Sequence, residues 1–159
     1  IDSRIKKMED GEYDGIILAY AGVKRMGYTK RVVRKLNVHS FTPAVGQGAI
    51  GITSPENHPL KEEIRQALNH PVTEMAVTAE RSFLRKMEGG CHIPLFGLAT
   101  IVGDKLVLDG GIAEDDGSRI IRERVEGSAK DAEALGELLA SRVLNSGATQ
   151  IINAYAQKN

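Results

Sequence analysis

Apolar residues recur at helical spacing in some stretches of the chain and in short bounded runs in others, and the two patterns divide it into elements. Ile5 and Met8 share one face of an opening helix that Gly11 stops. In "YDGIILAYAG" a brief apolar run between glycines predicts a strand over residues 15–20, buried on both faces. "VKRMGYTKRVVRKLN" sets Val32, Val33 and Leu36 among Lys24, Arg25, Lys30, Arg31, Arg34 and Lys35, which predicts one or two short helices with a solvated basic face. The next stretch, "NVHSFTPAVGQGAIGITSPENHP", is rich in Gly, Pro, Ser and Thr. It reads as a connecting segment and domain boundary holding one strand, residues 49–53.

Two amphipathic helices are predicted next. Pro59 stands at the first helical position of one, with Leu60, Ile64, Ala67 and Leu68 on a single stripe. Pro71 stands near the start of the other, with Met75, Thr78, Ala79, Phe83 and Met87 inward and Gly89-Gly90 as the stop. "LFGLATIVGDKLVLDGGIAEDDGSRIIRERVEG" then gives three strands joined at Gly103-Asp104 and Asp115-Asp116-Gly117, an antiparallel meander. A long helix starts at Ser128 with Asp131 in its first turn and ends at Gly147, and "ATQIINAYAQ" forms one more short helix. The order implies an α/β piece followed by a small α+β domain with a three-stranded antiparallel sheet and helices.

Composition narrows the class. The chain has 159 residues, 42% apolar and 26% charged, and no apolar run approaches the roughly 18 residues of a membrane span. Its 21 basic and 21 acidic side chains cancel, so total charge gives no support to a nucleic-acid or membrane partner. A single cysteine excludes an internal disulfide and fits a reducing, cytoplasmic compartment, and nothing in the residues of the opening stretch points to export. The chain opens at "IDSR" already inside a helix, which suggests a cut precursor or a preceding segment.

The candidate chemistry lies in three places. Cys91, in "EGGCHIPLFG", follows a predicted helix C-terminus, whose dipole raises a thiol pKa instead of lowering it. His92 is adjacent but neighbouring side chains point apart, and no further Cys or nearby His completes a metal set. A lone cysteine is often a small buried hydrophobe. Gly89 and Gly90, however, permit positive φ and the close approach of a bulky attachment. The second place is "PAVGQGAIGI", where Gly46, Gly48 and Gly51 around Gln47 leave main-chain N–H groups open to carboxylate or phosphate oxygens, unless the segment is a plain hinge. It has neither the Walker ending nor the dinucleotide spacing. The third is Arg4, Lys24 and Arg25, near turns beside the predicted strand, where a guanidinium fork can grip a carboxylate. His39, His58 and His70 sit in turn contexts as surface or capping residues. These features leave open a thiol-dependent enzyme using Cys91 with His92, and a small-anion-binding α+β module.

Taken together, "YDGIILAYAGVKRMG", "PAVGQGAIGI", "TAERSFLRKMEGGCHIPLFG" and the closing meander and helix resemble the porphobilinogen deaminase (hydroxymethylbilane synthase) family, in the family's order along essentially the whole chain. The chain resembles the later half of that three-domain enzyme. The resemblance implies that residues 1–43 end domain 2, a lobe like that of a periplasmic binding protein. Residues 44–67 would be the crossover segment completing domain 1, and residues 70–159 domain 3. It implies that Cys91 carries a dipyrromethane cofactor through a thioether, so that the thiol need not be acidic. Arg4 and Arg25 would answer the acetates and propionates of the pyrroles, with Gly22, Gln47, Gly48 and Ala49 lining the cleft. The implied reaction joins four porphobilinogen units head to tail, losing ammonia at each addition through an azafulvene electrophile. The aspartate that serves it is expected in the N-terminal portion, so this chain holds no catalytic residue of its own, no metal site, and no turnover in isolation. The implied partners are porphobilinogen, the growing linear tetrapyrrole and the N-terminal portion of a monomeric enzyme.

Overall fold

The computed structural model describes residues 1–87 and 93–156, which fall into two compact units, Ile1–Phe41 and Thr42–Asn159. In the first unit, α1 (Asp2–Glu9) and α2 (Tyr20–Arg25) are followed by a single 3₁₀ turn, Thr29–Arg31. Only Ile5 and Val23 are buried apolar side chains here. Gly22 packs so close to Ile1 that a Cβ would stand 2.9 Å from Ile1 Cδ1. Arg31 pairs with Glu9, and Lys35 Nζ lies 4.0 Å from the centre of the Tyr20 ring, a cation–π contact.

The second unit is built on the meander. Strands β1 (Leu95–Val102), β2 (Lys105–Ala113) and β3 (Ile120–Ser128) pair antiparallel in the order β1-β2-β3, with Val102 opposite Lys105 and Ala113 opposite Ile120. Gly103, at φ 61°, takes the left-handed backbone of the first turn, which costs a residue without Cβ little. Helix α4 (Pro71–Lys86) begins with Pro71 as its first helical residue and His70 as a side-chain cap accepting the Thr73 N–H at 3.3 Å. Helix α5 (Ala132–Val143) follows a short turn capped by Ser128. One widened turn, Leu144–Ala148, with Gly147 at φ 99°, leads into α6 (Thr149–Ala156).

Helices α4 and α5 lie against the sheet, and alternate residues of β2, Leu106 and Leu108, meet Phe83 of α4 and Leu139 and Val143 of α5 in one core, all with zero exposure. Each such side chain contributes about 1.5–3 kcal/mol over its exposed state. The meander, the paired helices and the final helix thus follow the apolar pattern of the sequence.

Four expectations differ from the structure. Residues 15–19 form no strand, and neither do residues 49–53, because an extended segment becomes a strand only with a hydrogen-bonded neighbour, and none of the described residues provides one. Helix α3 (Lys61–Leu68) starts two residues beyond Pro59 and buries nothing; Leu60 and Leu68 are exposed and Ile64 is half-buried. Thr78 faces out, since α4 turns the row of Ala79, Phe83 and Met87 toward the sheet. The helix stop placed at Gly89-Gly90 lies outside the described residues; α4 ends at Lys86 with Met87 as its C-cap.

Candidate functional site

The open edge of β1 is where the glycine-rich segment settles. Gly97 and Ala99 point their N–H groups away from β2, and an unpaired edge needs acceptors. The Pro43 carbonyl takes the Gly97 N–H at 3.0 Å, and the Glu80 carboxylate of α4 takes the Ala99 N–H through Oε1 at 2.8 Å. Gly97 lacks a Cβ, which lets Val45 come in beside it; a Cβ there would meet Val45 Cγ2 at 3.2 Å.

From Val45 the chain makes two overlapping turns. The Gln47 N–H donates to the Ala44 carbonyl at 3.1 Å and the Ala49 N–H to the Gly46 carbonyl at 3.2 Å. Gly46 at φ 73° and Gly48 at φ 89° supply the left-handed residues that such a succession requires. The Gly46 N–H donates to Glu80 Oε2 at 2.6 Å. Among the described residues the N–H groups of Gly48, Ile50 and Gly51 meet no acceptor. A cavity of about 320 Å³ lies between this loop, α4 and β1, with Thr73, Ala76, Glu80 and Thr100 among its walls.

Glu80 is only 6% exposed. Burial pushes its carboxyl above the usual range, while the Ala99 and Gly46 N–H groups pull in the other direction. Sequence reasoning passed over this residue. The available signal was its place beside Ala79 and three residues before Phe83, on the inward face of an amphipathic helix, where a carboxylate must find donors. Arg122 secures the start of the segment from the other side, its Nε donating to Asp109 at 2.6 Å and its Nη2 to Thr42 Oγ1 at 3.0 Å.

The structure gathers Gln47, Gly48 and Ala49 on this exposed loop. Arg4, in the first turn of α1, and Arg25, in the last turn of α2, are both exposed and belong with Gly22 and Lys24 to the first unit. Cys91 and His92 lie outside the described residues. The other histidines serve turns and caps: His39 N–H donates to Asn37, His58 Nδ1 accepts the Leu60 N–H, and His70 caps α4. Among the described residues no group of His, Cys, Asp and Glu could hold a metal ion, and no helix is long and apolar enough to cross a membrane.

Two family models match the chain. The one described as the dipyrromethane cofactor binding domain of porphobilinogen deaminase matches residues 1–66, and the one described as the C-terminal domain of porphobilinogen deaminase matches residues 75–145. Similar curated proteins include the porphobilinogen deaminase of Pelobacter propionicus, 41% identical over 158 residues, covering 99% of this chain and 51% of that protein. That of Cytophaga hutchinsonii is 43% identical over 154 residues, covering 96% and 49% respectively. That of Carboxydothermus hydrogenoformans is 40% identical over 152 residues, with 96% and 49% covered. The chain therefore spans about half the length of the curated relatives it matches.

Proposed function

The chain belongs to the porphobilinogen deaminase family, and we propose that it is the cofactor-bearing later portion of an enzyme that joins four porphobilinogen units head to tail into hydroxymethylbilane, releasing one ammonia per unit. The observation that carries this reading is the glycine loop on the edge of β1, which lies in the part of the chain matched by the cofactor binding domain and offers open main-chain N–H groups.

The residues fit an acidic pyrrole cofactor. Gly48 has open space around its missing Cβ, so a ligand carboxylate can reach the main-chain N–H groups of Gly48 and Ile50 without displacing a side chain. Gln47, exposed on the same loop, adds an amide that can donate or accept. Arg4 and Arg25 present guanidinium groups to solvent, suited to two-pronged hydrogen bonding with acetate or propionate. In this reading Gly22 lines the cleft through its main chain, its Cβ position being taken up by Ile1 Cδ1. Cys91 holds the dipyrromethane through a thioether. When bound, that group would supply the free pyrrole carbon to which the first porphobilinogen is added, each later unit joining the terminal pyrrole of the growing chain.

The remainder of the reading follows the family's three-domain plan. Residues 1–43 end domain 2, residues 44–67 cross back to domain 1, and residues 70–159 form domain 3. The N-terminal portion supplies the catalytic aspartate and covers apolar side chains such as Ile17, Val33, Ile50 and Ile52, whose exposure supports the need for such a cover. The assembled enzyme, this chain together with that portion, is a cytoplasmic monomer.

Intact mass and turnover test the reading. The chain carries a dipyrromethane adduct that Cys91→Ser removes, and uroporphyrinogen-type products appear only when the N-terminal portion is present. A bare, rapidly alkylated thiol would favour a nucleophilic cysteine instead, and a bare, inert one an anion-binding module.

A further inference from the structure

Among the described residues Glu80 has no cation to compensate its burial: the groups that oppose its desolvation are the Ala99 and Gly46 N–H groups. Its two oxygens are divided between them, Oε1 to the strand and Oε2 to the loop, at 2.8 and 2.6 Å. A buried carboxylate that depends on two main-chain donors ties its own desolvation cost to the position of both segments. The loop has few other anchors in its middle, since its two internal turn bonds join loop residues only to one another.

We propose that Glu80 is the positioning residue of the glycine loop: by holding the Gly46 N–H with one oxygen and the Ala99 N–H with the other, it fixes the main chain of residues 46–49 against β1. It thereby aims the open N–H groups at a ligand carboxylate. The ligand named here rests on the reading that this loop binds an acidic pyrrole; the hold on the loop does not. The arrangement also spends the Glu80 charge on two backbone dipoles, so that a carboxylate beside the loop meets donors and not a bare anion.

The assembled enzyme and its Glu80→Gln form test this. The glutamine carbonyl can accept one of the two N–H groups, but its NH₂ opposes the other. Losing a hydrogen bond to a charged group should speed amide exchange at Gly46, Gln47 and Ala49 about tenfold or more, and raise KM for porphobilinogen several-fold with a smaller change in kcat. Ser82→Ala removes a different buried hydrogen bond of α4, to the Glu133 carbonyl, and should leave both the loop amides and KM unchanged. Loop exchange in Glu80→Gln at the unsubstituted rate would overturn the inference, as would faster exchange with KM unmoved. So would a Gly46 amide that exchanges in the unsubstituted enzyme like an open loop amide, a result that stands even where the glutamine form fails to fold. An unsubstituted enzyme without adduct or turnover would overturn the functional reading and the ligand with it, while the exchange rates would still decide whether Glu80 holds the loop.

Discussion

Gly136 of α5 stands where a Cβ would lie 2.3 Å from the Ala79 carbonyl oxygen of α4 and 2.6 Å from Ser82 Cβ. The two helices approach through this position, and the obstructing atoms include backbone that cannot swing aside. Gly136→Ala should therefore destabilise the second unit by about 1–3 kcal/mol, the usual cost of forcing an extra methyl into a packed interior. Its better helix propensity offsets at most about 1 kcal/mol of that. Urea unfolding of the two forms measures the difference, and an unchanged midpoint would show that the helices can part freely.

Glu80 gives the second unit a pH dependence of definite sign. Its folded carboxyl titrates above the unfolded one, mainly because burial disfavours the charge. Its contribution is thus fully present below the unfolded value and is lost as pH rises through the folded value. Glu80→Gln cannot ionise. The stability of the unsubstituted protein relative to Glu80→Gln should fall as pH is raised from the unfolded carboxylate range to neutrality, measured by denaturant titration at each pH. A flat or rising difference would contradict the assignment.

Tyr155 of α6 is pushed up to about 12, first by burial and then by the neighbouring Asp115 carboxylate. A raised phenol stabilises the fold while neutral and ceases to do so as pH passes through its folded value. An ultraviolet absorbance titration should show one phenol ionising last, near pH 12, and Tyr155→Phe should remove that step.

Arg25 should matter for ligand binding and little for folding, since it is exposed at the end of α2. In the assembled enzyme Arg25→Ala should raise KM for porphobilinogen about tenfold or more, the scale of one charge-assisted hydrogen bond, while thermal stability stays nearly constant. Arg25→Lys should recover only part of the loss, because an ammonium cannot grip a carboxylate with two parallel bonds. Equal kinetics for all three forms would remove Arg25 from the binding set.

How much of this was legible depends on where each residue finds its partner. The meander could be read because its alternating residues, such as Leu106 and Leu108, are satisfied by α4 and α5 within the chain. The runs around Ile17 and Ile50 carry equally good strand patterns, yet a strand needs a neighbour that pattern alone does not supply. The glycines of the loop were visible as permissive positions, and Gly46 and Gly48 do take positive φ. What fixes the loop was not visible. Glu80 looks like one more acidic residue on a charged helix until the fold brings Gly46 and Ala99, 34 residues before it and 19 after it, to its two oxygens.

The central claim is that Cys91 is a permanent tether. The most direct measurement is the intact mass, with peptide mapping, of the chain recovered from cells that make the whole enzyme. The account predicts a dipyrromethane increment on the peptide containing Cys91, absent from Cys91→Ser. An unmodified Cys91 in an enzyme that nonetheless turns over porphobilinogen would contradict it.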